Sequence, residues 1–415
     1  MQTPLWVSKF IPHLVVGFLF FGLVMYGIYG GIPAEYPELS KTYWNSATFE
    51  QLRHNFTDIA DEKGALYAFE ILRRAPLPPQ TDVHLLGHVI GDKLYKEYGE
   101  DAIQFCTSEF RNACSHTVVV GLLLDYGPSA LDDIGESCKK APGGIGAYTM
   151  CFHGLGHGVL AYEQYDVEKT IALCKKTGTA EYHNEEYAQC VGGAIMEAIS
   201  GGGHDRVAWE KARPLYLNTR DPLSPCNRSF MPDEVRSFCY IYITPHLVEA
   251  AGGDMNHPDP AVFPKAFSFC RALPQSDRNR EVCMNGFGKE FVGWARQSDG
   301  RSITTLTDQE MELSSSWCAL SGTAEDTRYC LQGIQSYIYW GGENDPHSSV
   351  RFCSLLSKQS KEAVAICNAD LARLIAKYVP DTNTRSATCA LLPADVQHEC
   401  LTYELLWNGQ LDLLH

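Results

Sequence analysis

A single long apolar run stands near the start of the chain, and no second run of comparable length follows it. The sequence has no charged residue between Lys9 and Glu35, and residues 14–32 read LVVGFLFFGLVMYGIYGGI. Such a run is long enough to cross a bilayer as a helix. A cleaved signal peptide is the alternative, but the run exceeds the usual apolar core of these peptides and no clean A-x-A motif follows. The pattern therefore favours an uncleaved signal-anchor helix over residues 11–32.

The charges around this run set its orientation. Lys9 and the amino terminus favour a short cytoplasmic end at residues 1–10, with the N-terminus inside. The sequence thus predicts a single-pass protein of the cell membrane, with its main domain in the periplasm or outside the cell. Residues 33–60 are assigned to a juxtamembrane linker.

After the linker, apolar and polar segments of helical length alternate. Segments such as CVGGAIMEAI are apolar and lead into glycine-containing turns, whereas DVEKTIALCKK is polar, begins at the potential N-cap Asp166 and ends in lysines. We interpret each apolar helix as starting at its cysteine. The alternation predicts an all-α fold, a helical-hairpin repeat (α-solenoid-like) array over residues 61–415. Histidines are concentrated in units 82–200 and aromatic residues in units 226–415.

The cysteines follow this alternation. The chain has 16 cysteines in successive pairs, with 8 to 16 residues between partners and second members 33 to 49 residues apart. A period of this size is typical of a repeat array. An even cysteine set without C-x-x-C motifs indicates disulfides in an oxidising compartment. Sequence does not prove connectivity, but the shared context favours local pairing: Cys106–Cys114, Cys138–Cys151, Cys174–Cys190, Cys226–Cys239, Cys270–Cys283, Cys318–Cys330, Cys353–Cys367 and Cys389–Cys400.

This layout of stapled helix pairs is similar in architecture to repeats of the tetratricopeptide type. Their signature tryptophan, alanine and glycine positions are not matched here, so no family is assigned and no functional residue is carried over. The net charge of −16 and the absence of a basic stripe argue against a nucleic-acid partner.

Five histidines occupy two repeat positions in three consecutive apolar helices. When the units are aligned on their opening residue, His84, His116 and His153 share one position, and His88 and His157 share another four residues further on. Later units have no histidine there, so the repeat itself does not require them. Two H-x-x-x-H spacings place imidazoles on one helical face, where they can bind a metal ion.

The chemistry of this group stays open at several points. Zinc, copper or iron fits imidazole ligands without thiolates, and a haem is not excluded. A zincin protease is excluded because neither histidine pair contains the H-E-x-x-H glutamate. Asp92 and Glu197 are candidates for the second shell or for a base. A hydrogen-bonded structural or pH-responsive histidine cluster is the alternative to a metal site.

Two functions follow from these patterns. The first is a membrane-anchored, exported helical repeat protein with a histidine-ligated metal site, which could serve a metalloenzyme, although no catalytic residue is identified. The second is a non-catalytic scaffold that binds a protein or an envelope polymer on the array surface. The aromatic C-terminal units fit a docking surface, but also an ordinary helical core.

Overall fold

The computed structural model describes residues 36–78, 81–201, 205–275, 277–297, 303–340, 345–358, 360–379 and 381–402. Within these ranges the chain is helical, and the only strand-like feature is an isolated bridge between Asn218 and Asp221. The prediction of an all-α fold is confirmed for this part of the chain. The predicted signal-anchor at residues 11–32 lies outside the described residues, and among the helices that are described none is long and apolar enough to cross a membrane.

The α-helices, which short 3-10 turns connect, have the following bounds. In chain order they are α1 (Phe49–Lys63), α2 (Ala65–Arg74), α3 (Val83–Tyr98), α4 (Ala113–Tyr126), α5 (Leu131–Cys138), α6 (Gly144–Tyr162), α7 (Val167–Cys174), α8 (Glu185–Ser200), α9 (Arg206–Tyr216), α10 (Asp233–Tyr242), α11 (Thr244–Ala251), α12 (Phe263–Arg271), α13 (Arg278–Ala295), α14 (Asp308–Cys318), α15 (Ala324–Trp340), α16 (Pro346–Leu355), α17 (Lys361–Tyr378), α18 (Thr382–Cys389) and α19 (Ala394–Thr402).

The segment assigned to a linker contains a helix that packs into the core. Thr48 caps α1 in a capping box with Gln51, and the helix buries Leu52 and Phe56. The Trp44 ring is fully buried and lies 5.2 Å from the Phe56 ring. Structure therefore extends into residues 36–60, because this apolar face is covered by the helices that follow.

The long apolar helices begin before their cysteines rather than at them. Helix α6 starts at Gly144, well ahead of Cys151, and α8 starts at Glu185, ahead of Cys190. The residues ahead of the cysteine continue the buried face, which extends the helix. One apolar segment is also broken: α10 ends and α11 begins around Ile243, because Pro245 has no amide hydrogen to continue the helical hydrogen bonds.

All eight predicted disulfides are present, and the paired Cα atoms lie 5.2 to 5.8 Å apart. No cysteine is free. Most of them join the end of a shorter helix to the long helix that follows, which is the local stapling the sequence pattern indicates. Each closes a loop of 8 to 16 residues.

The long helices form a row in which each packs on the next: α3, α4, α6, α8, α10, α13, α15 and α17. Glycines bring some neighbours into backbone contact. A β-carbon at Gly156 would overlap the Cys190 carbonyl, and one at Gly193 would overlap the His153 carbonyl. Helices α13 and α15 repeat the arrangement at Gly288. These glycines therefore allow the backbones of neighbouring helices to approach closely.

The row also curves back on itself. Helix α17 contacts α6, and Ile145 of α6 packs against the C-terminal core that includes Leu371. The Arg111 guanidinium, just before α4, lies 5.3 Å from the centre of the Tyr337 ring on α15. The C-terminal part of the chain thus contacts the row again at α6 and just before α4.

Candidate metal centre

Three neighbouring helices bring the five predicted histidines together. The ring centres of His84 and His88, on α3, lie 4.6 Å apart, and those of His153 and His157, on α6, lie 5.2 Å apart. His116, on α4 between them, has its ring centre 5.8 to 6.0 Å from each of the other four. The positions that the sequence alignment of the three helices predicted to be equivalent are thus neighbours in space.

Small residues allow this convergence. Asp82 caps α3 by accepting a hydrogen bond from the Leu85 amide at 2.9 Å, which places His84 in the first turn. A β-carbon at Gly87 would lie 2.7 Å from the Ala113 β-carbon, so α3 and α4 approach closely. A β-carbon at Gly154 would overlap the His116 ring. Gly154 therefore provides the space that the central imidazole occupies.

His84, His88 and His116 form a group that could hold a metal ion. Each offers one ring nitrogen, and these nitrogens lie within 4.8 Å of one another. This is the one group of three or more potential metal ligands found in the described ranges. The Nε2 atoms of His84 and His88 are 3.0 Å apart.

The outer nitrogens of the α3 pair have partners that fix the ring tautomers. His84 Nδ1 lies 2.6 Å from the Phe110 carbonyl oxygen, which can only accept, so this nitrogen carries the proton. His88 Nδ1 lies 2.9 Å from the Thr117 hydroxyl, which itself donates to the Ala113 carbonyl at 2.9 Å and so accepts from the imidazole. Both Nε2 atoms therefore present lone pairs. Metal-binding histidines commonly donate their other N–H in this way.

His116 is the least satisfied member of the group. Its side chain is buried, and neither ring nitrogen has a hydrogen-bond partner among the described residues. A buried polar atom without a partner is destabilising by about 1–3 kcal/mol. A ligand between the rings would remove this penalty.

The second histidine pair is held by a carboxylate and by tyrosines. His157 Nδ1 lies 3.1 Å from Glu197 Oε2, on α8, and the Tyr165 hydroxyl donates to Glu197 Oε1 at 3.1 Å. The Tyr242 hydroxyl is 3.5 Å from His153 Nδ1. Glu197 is buried beside the histidines, in the position we expected for a supporting carboxylate.

Asp92 has a different environment from the one we expected. Its carboxylate accepts from Lys96 at 2.6 Å, and its side chain is 49% exposed. The residue lies on α3, but its ion pair is on the surface rather than with an imidazole. The spacing along α3 predicts that Asp92 lies one helical turn beyond His88, but it does not predict where the Asp92 side chain points.

Burial favours the neutral form of three imidazoles, those of His84, His116 and His153. Burial lowers the pKa of His84 to about 4, although the hydrogen bond to Phe110 acts in the opposite direction. Burial also lowers the pKa of His116 and of His153 well below the usual value, with further lowering by neighbouring positive charge. Neutral imidazole is the form that binds metal ions, so these residues need not lose a proton at neutral pH.

Several contributors to the site have no signal of their own in the sequence. Thr117 and the Phe110 carbonyl orient the α3 pair, and Tyr165 orients Glu197. The only sequence signal for Thr117 is that it directly follows the candidate ligand His116. The sequence does not distinguish Gly154, which makes room for the His116 ring, from the other glycines, which only allow helices to pack.

Fold and site together define a disulfide-rich helical protein with a three-histidine group that could hold a metal ion. Comparisons of the chain with protein-family models, curated proteins and solved structures found no match. Its function is therefore argued from the site.

Proposed function

We propose that this protein is an exported, membrane-anchored array of helical hairpins, solenoid-like in construction, that binds a transition metal ion through His84, His88 and His116. The observation that carries the proposal is the 3.0 Å separation of the Nε2 atoms of His84 and His88, whose Nδ1 atoms lie against the Phe110 carbonyl and the Thr117 hydroxyl. With the protons on Nδ1, the two Nε2 lone pairs repel each other unless a cation lies between or beside them. His116 offers a third nitrogen that lacks a hydrogen-bond partner in the described structure.

Zinc, copper or iron fits this donor set, because imidazole suits all three ions. The rings pack with centres 4.6 to 6.0 Å apart, which suits a single ion between nitrogens and leaves no space for a porphyrin between these rings. Three imidazoles would leave a fourth position for water, as in catalytic zinc sites. This open position is the basis for proposing a metalloenzyme.

His153, His157 and Glu197 extend the site on the other side of His116. Their ligand atoms do not belong to the group of His84, His88 and His116, in which the ring nitrogens lie within 4.8 Å of one another. Glu197 orients His157, and the pair could accept a proton from a group bound near the metal ion. A second ion beside the first is the alternative role for this pair.

A scaffold that binds a protein or an envelope polymer is the second candidate function. One observation favours it: Leu124 and Tyr126 at the end of α4 are 57% and 65% exposed. Tyr162 of α6 lies beside them, because its hydroxyl would be 3.4 Å from a β-carbon at Gly127. Exposed aromatic clusters of this kind are common in binding surfaces.

Elemental analysis of the purified full-length protein separates these functions. The metal proposal predicts about one equivalent of zinc, copper or iron, lost in a His84→Gln, His88→Gln double variant. His347→Gln is the matched control and should keep the metal. A protein that retains no metal after reconstitution with each ion would favour the scaffold.

The membrane anchor is tested separately. The anchor proposal predicts that the protein stays in the membrane fraction after alkaline carbonate treatment, and that a deletion of residues 1–35 releases it. Full-length protein in the soluble fraction would contradict the proposal.

A further inference from the structure

A cleft of about 260 Å³ opens between α15 and α17, on other helices than the histidine group. Arg328, Gln332 and Gln335 line it from α15, and Glu362 and Asp370 line it from α17. The cleft therefore has a cation on one wall and carboxylates on the other.

Its opposite charges do not neutralise each other across the cleft. The Arg328 guanidinium lies 4.7 Å from the centre of the Tyr329 ring and forms no ion pair with any described carboxylate. Glu362 likewise has no ion-pair partner in the described ranges. Asp370 differs, because it accepts hydrogen bonds from Gln332 at 2.9 Å and from Arg373 at 3.4 Å. Arg328 and Glu362 are thus the two charges available to a bound molecule.

Two carboxamides in the lining each have one atom without a hydrogen-bond partner among the described residues. Gln332 donates to Asp370 through Nε2, and its buried Oε1 has no partner among the described residues. Gln335 is 1% exposed and its Nε2 has none either. The Oε1 of Gln335 faces the sulfurs of Cys353 and Cys367 at 3.6 and 3.5 Å, but these disulfide sulfurs carry no proton to donate.

Buried polar atoms of this kind are destabilising until a partner arrives. The rest of the lining is apolar and includes Leu331, Leu356 and Ile366. A molecule that fits must therefore combine a positive group, a negative group and an aliphatic body within a small volume.

We propose that this cleft binds an α-amino acid with an aliphatic side chain. Its carboxylate pairs with Arg328, its ammonium group pairs with Glu362, and its side chain contacts Leu331, Leu356 and Ile366. A peptide terminus is the alternative ligand, because it carries one of these two charges next to an amide group. The proposal is independent of the metal site.

Calorimetric titration of the full-length protein in detergent tests this directly. L-Leucine is expected to bind saturably at one site per chain. N-Acetyl-L-leucine, which lacks the ammonium group, and L-leucinamide, which lacks the carboxylate, should each bind at least about tenfold more weakly, as the loss of a charged hydrogen bond predicts. L-Leucyl-L-leucine tests the peptide alternative. If this dipeptide binds more tightly than L-leucine, the ligand of the cleft is a peptide terminus, and the proposal of a free amino acid is overturned.

Variants connect the binding to the cleft. Arg328→Gln and Glu362→Gln should each weaken L-leucine binding at least about tenfold, while Lys361→Gln, next to Glu362, should leave it unchanged. Circular dichroism melting checks that each variant is folded. The proposal is overturned if leucine does not bind at millimolar concentration, if either analogue binds as well as leucine, or if the two cleft variants bind like the parent protein.

Discussion

His84 and His88 face each other through their Nε2 atoms. Their Nε2 atoms are 3.0 Å apart, while their Nδ1 protons go to the Phe110 carbonyl and the Thr117 hydroxyl. The helix supplies the i,i+4 spacing, and partners just before α4 (Phe110) and within it (Thr117) supply the tautomers. This arrangement prepares the pair to bind a cation.

The Thr117 hydroxyl should therefore control metal affinity. Thr117→Val removes the acceptor for His88 Nδ1 without a large change in volume, so the ring loses both its orientation and its fixed tautomer. We expect metal affinity to fall by about 10- to 100-fold, measured by competition with a chromophoric chelator. Thr117→Ser keeps the hydroxyl and should stay close to the parent value. Equal affinity in the valine and serine variants would contradict this role.

Gly154 should be required for the position of His116. In Gly154→Ala the new methyl group would overlap the imidazole, so the ring must move away from the α3 pair. We expect loss of the bound metal and a decrease of about 1–3 kcal/mol in the free energy of unfolding.

Gly135→Ala is a suitable control for that experiment. Its β-carbon would lie 3.9 Å from the Phe152 ring, which is an ordinary contact. This variant should keep the metal and unfold at a urea concentration no lower than the parent. Metal retention in Gly154→Ala would show that the site does not depend on the space beside this glycine.

The stability of the metal-free protein should fall as the pH drops below about 6.5. The folded-state pKa values of His84, His116 and His153 are lowered, so the unfolded chain takes up protons first. The contribution of these three neutral histidines to the free energy of unfolding is complete above the pKa of the unfolded chain. It is lost as the pH falls toward their pKa values in the folded protein. For His84, whose folded pKa is about 4, the loss is on the order of 3 kcal/mol.

Urea unfolding at a series of pH values measures this effect. His116→Phe removes one of the titrating groups and should give a shallower decline, while His54→Gln, at an exposed position, should follow the parent. Identical pH profiles for the parent and His116→Phe would contradict the assignment.

The Cys106–Cys114 disulfide should matter for the site as well as for stability. It anchors the first turn of α4, two residues before His116. Replacing both cysteines with serine should lower the free energy of unfolding by about 2–3 kcal/mol and also weaken metal binding.

Cys389–Cys400 is the matched control, because its partners are 11 residues apart and lie far along the chain from the histidines. Its removal should have a similar effect on stability with no change in metal affinity. If both double variants have the same metal affinity, the Cys106–Cys114 disulfide has no specific role in metal binding.

Much of the architecture can be predicted from the sequence because the alternation of helices and cysteine pairs is local. The cysteine pairs and the positions of the five histidines depend on spacing within a unit and between adjacent units. Contacts between distant units follow no such spacing, and the approach of Arg111 to Tyr337 is one of them. Side-chain direction is also set by neighbours, which is why Asp92 pairs with Lys96 at the surface.

The most direct test of the central claim is the position of the metal itself. Crystals of the reconstituted protein should be measured at the absorption edge of the bound ion. We predict one anomalous peak, about 2.0–2.1 Å from one ring nitrogen of each of His84, His88 and His116 if the ion is zinc. A peak at any other residues, or no peak in a fully folded protein, would contradict it.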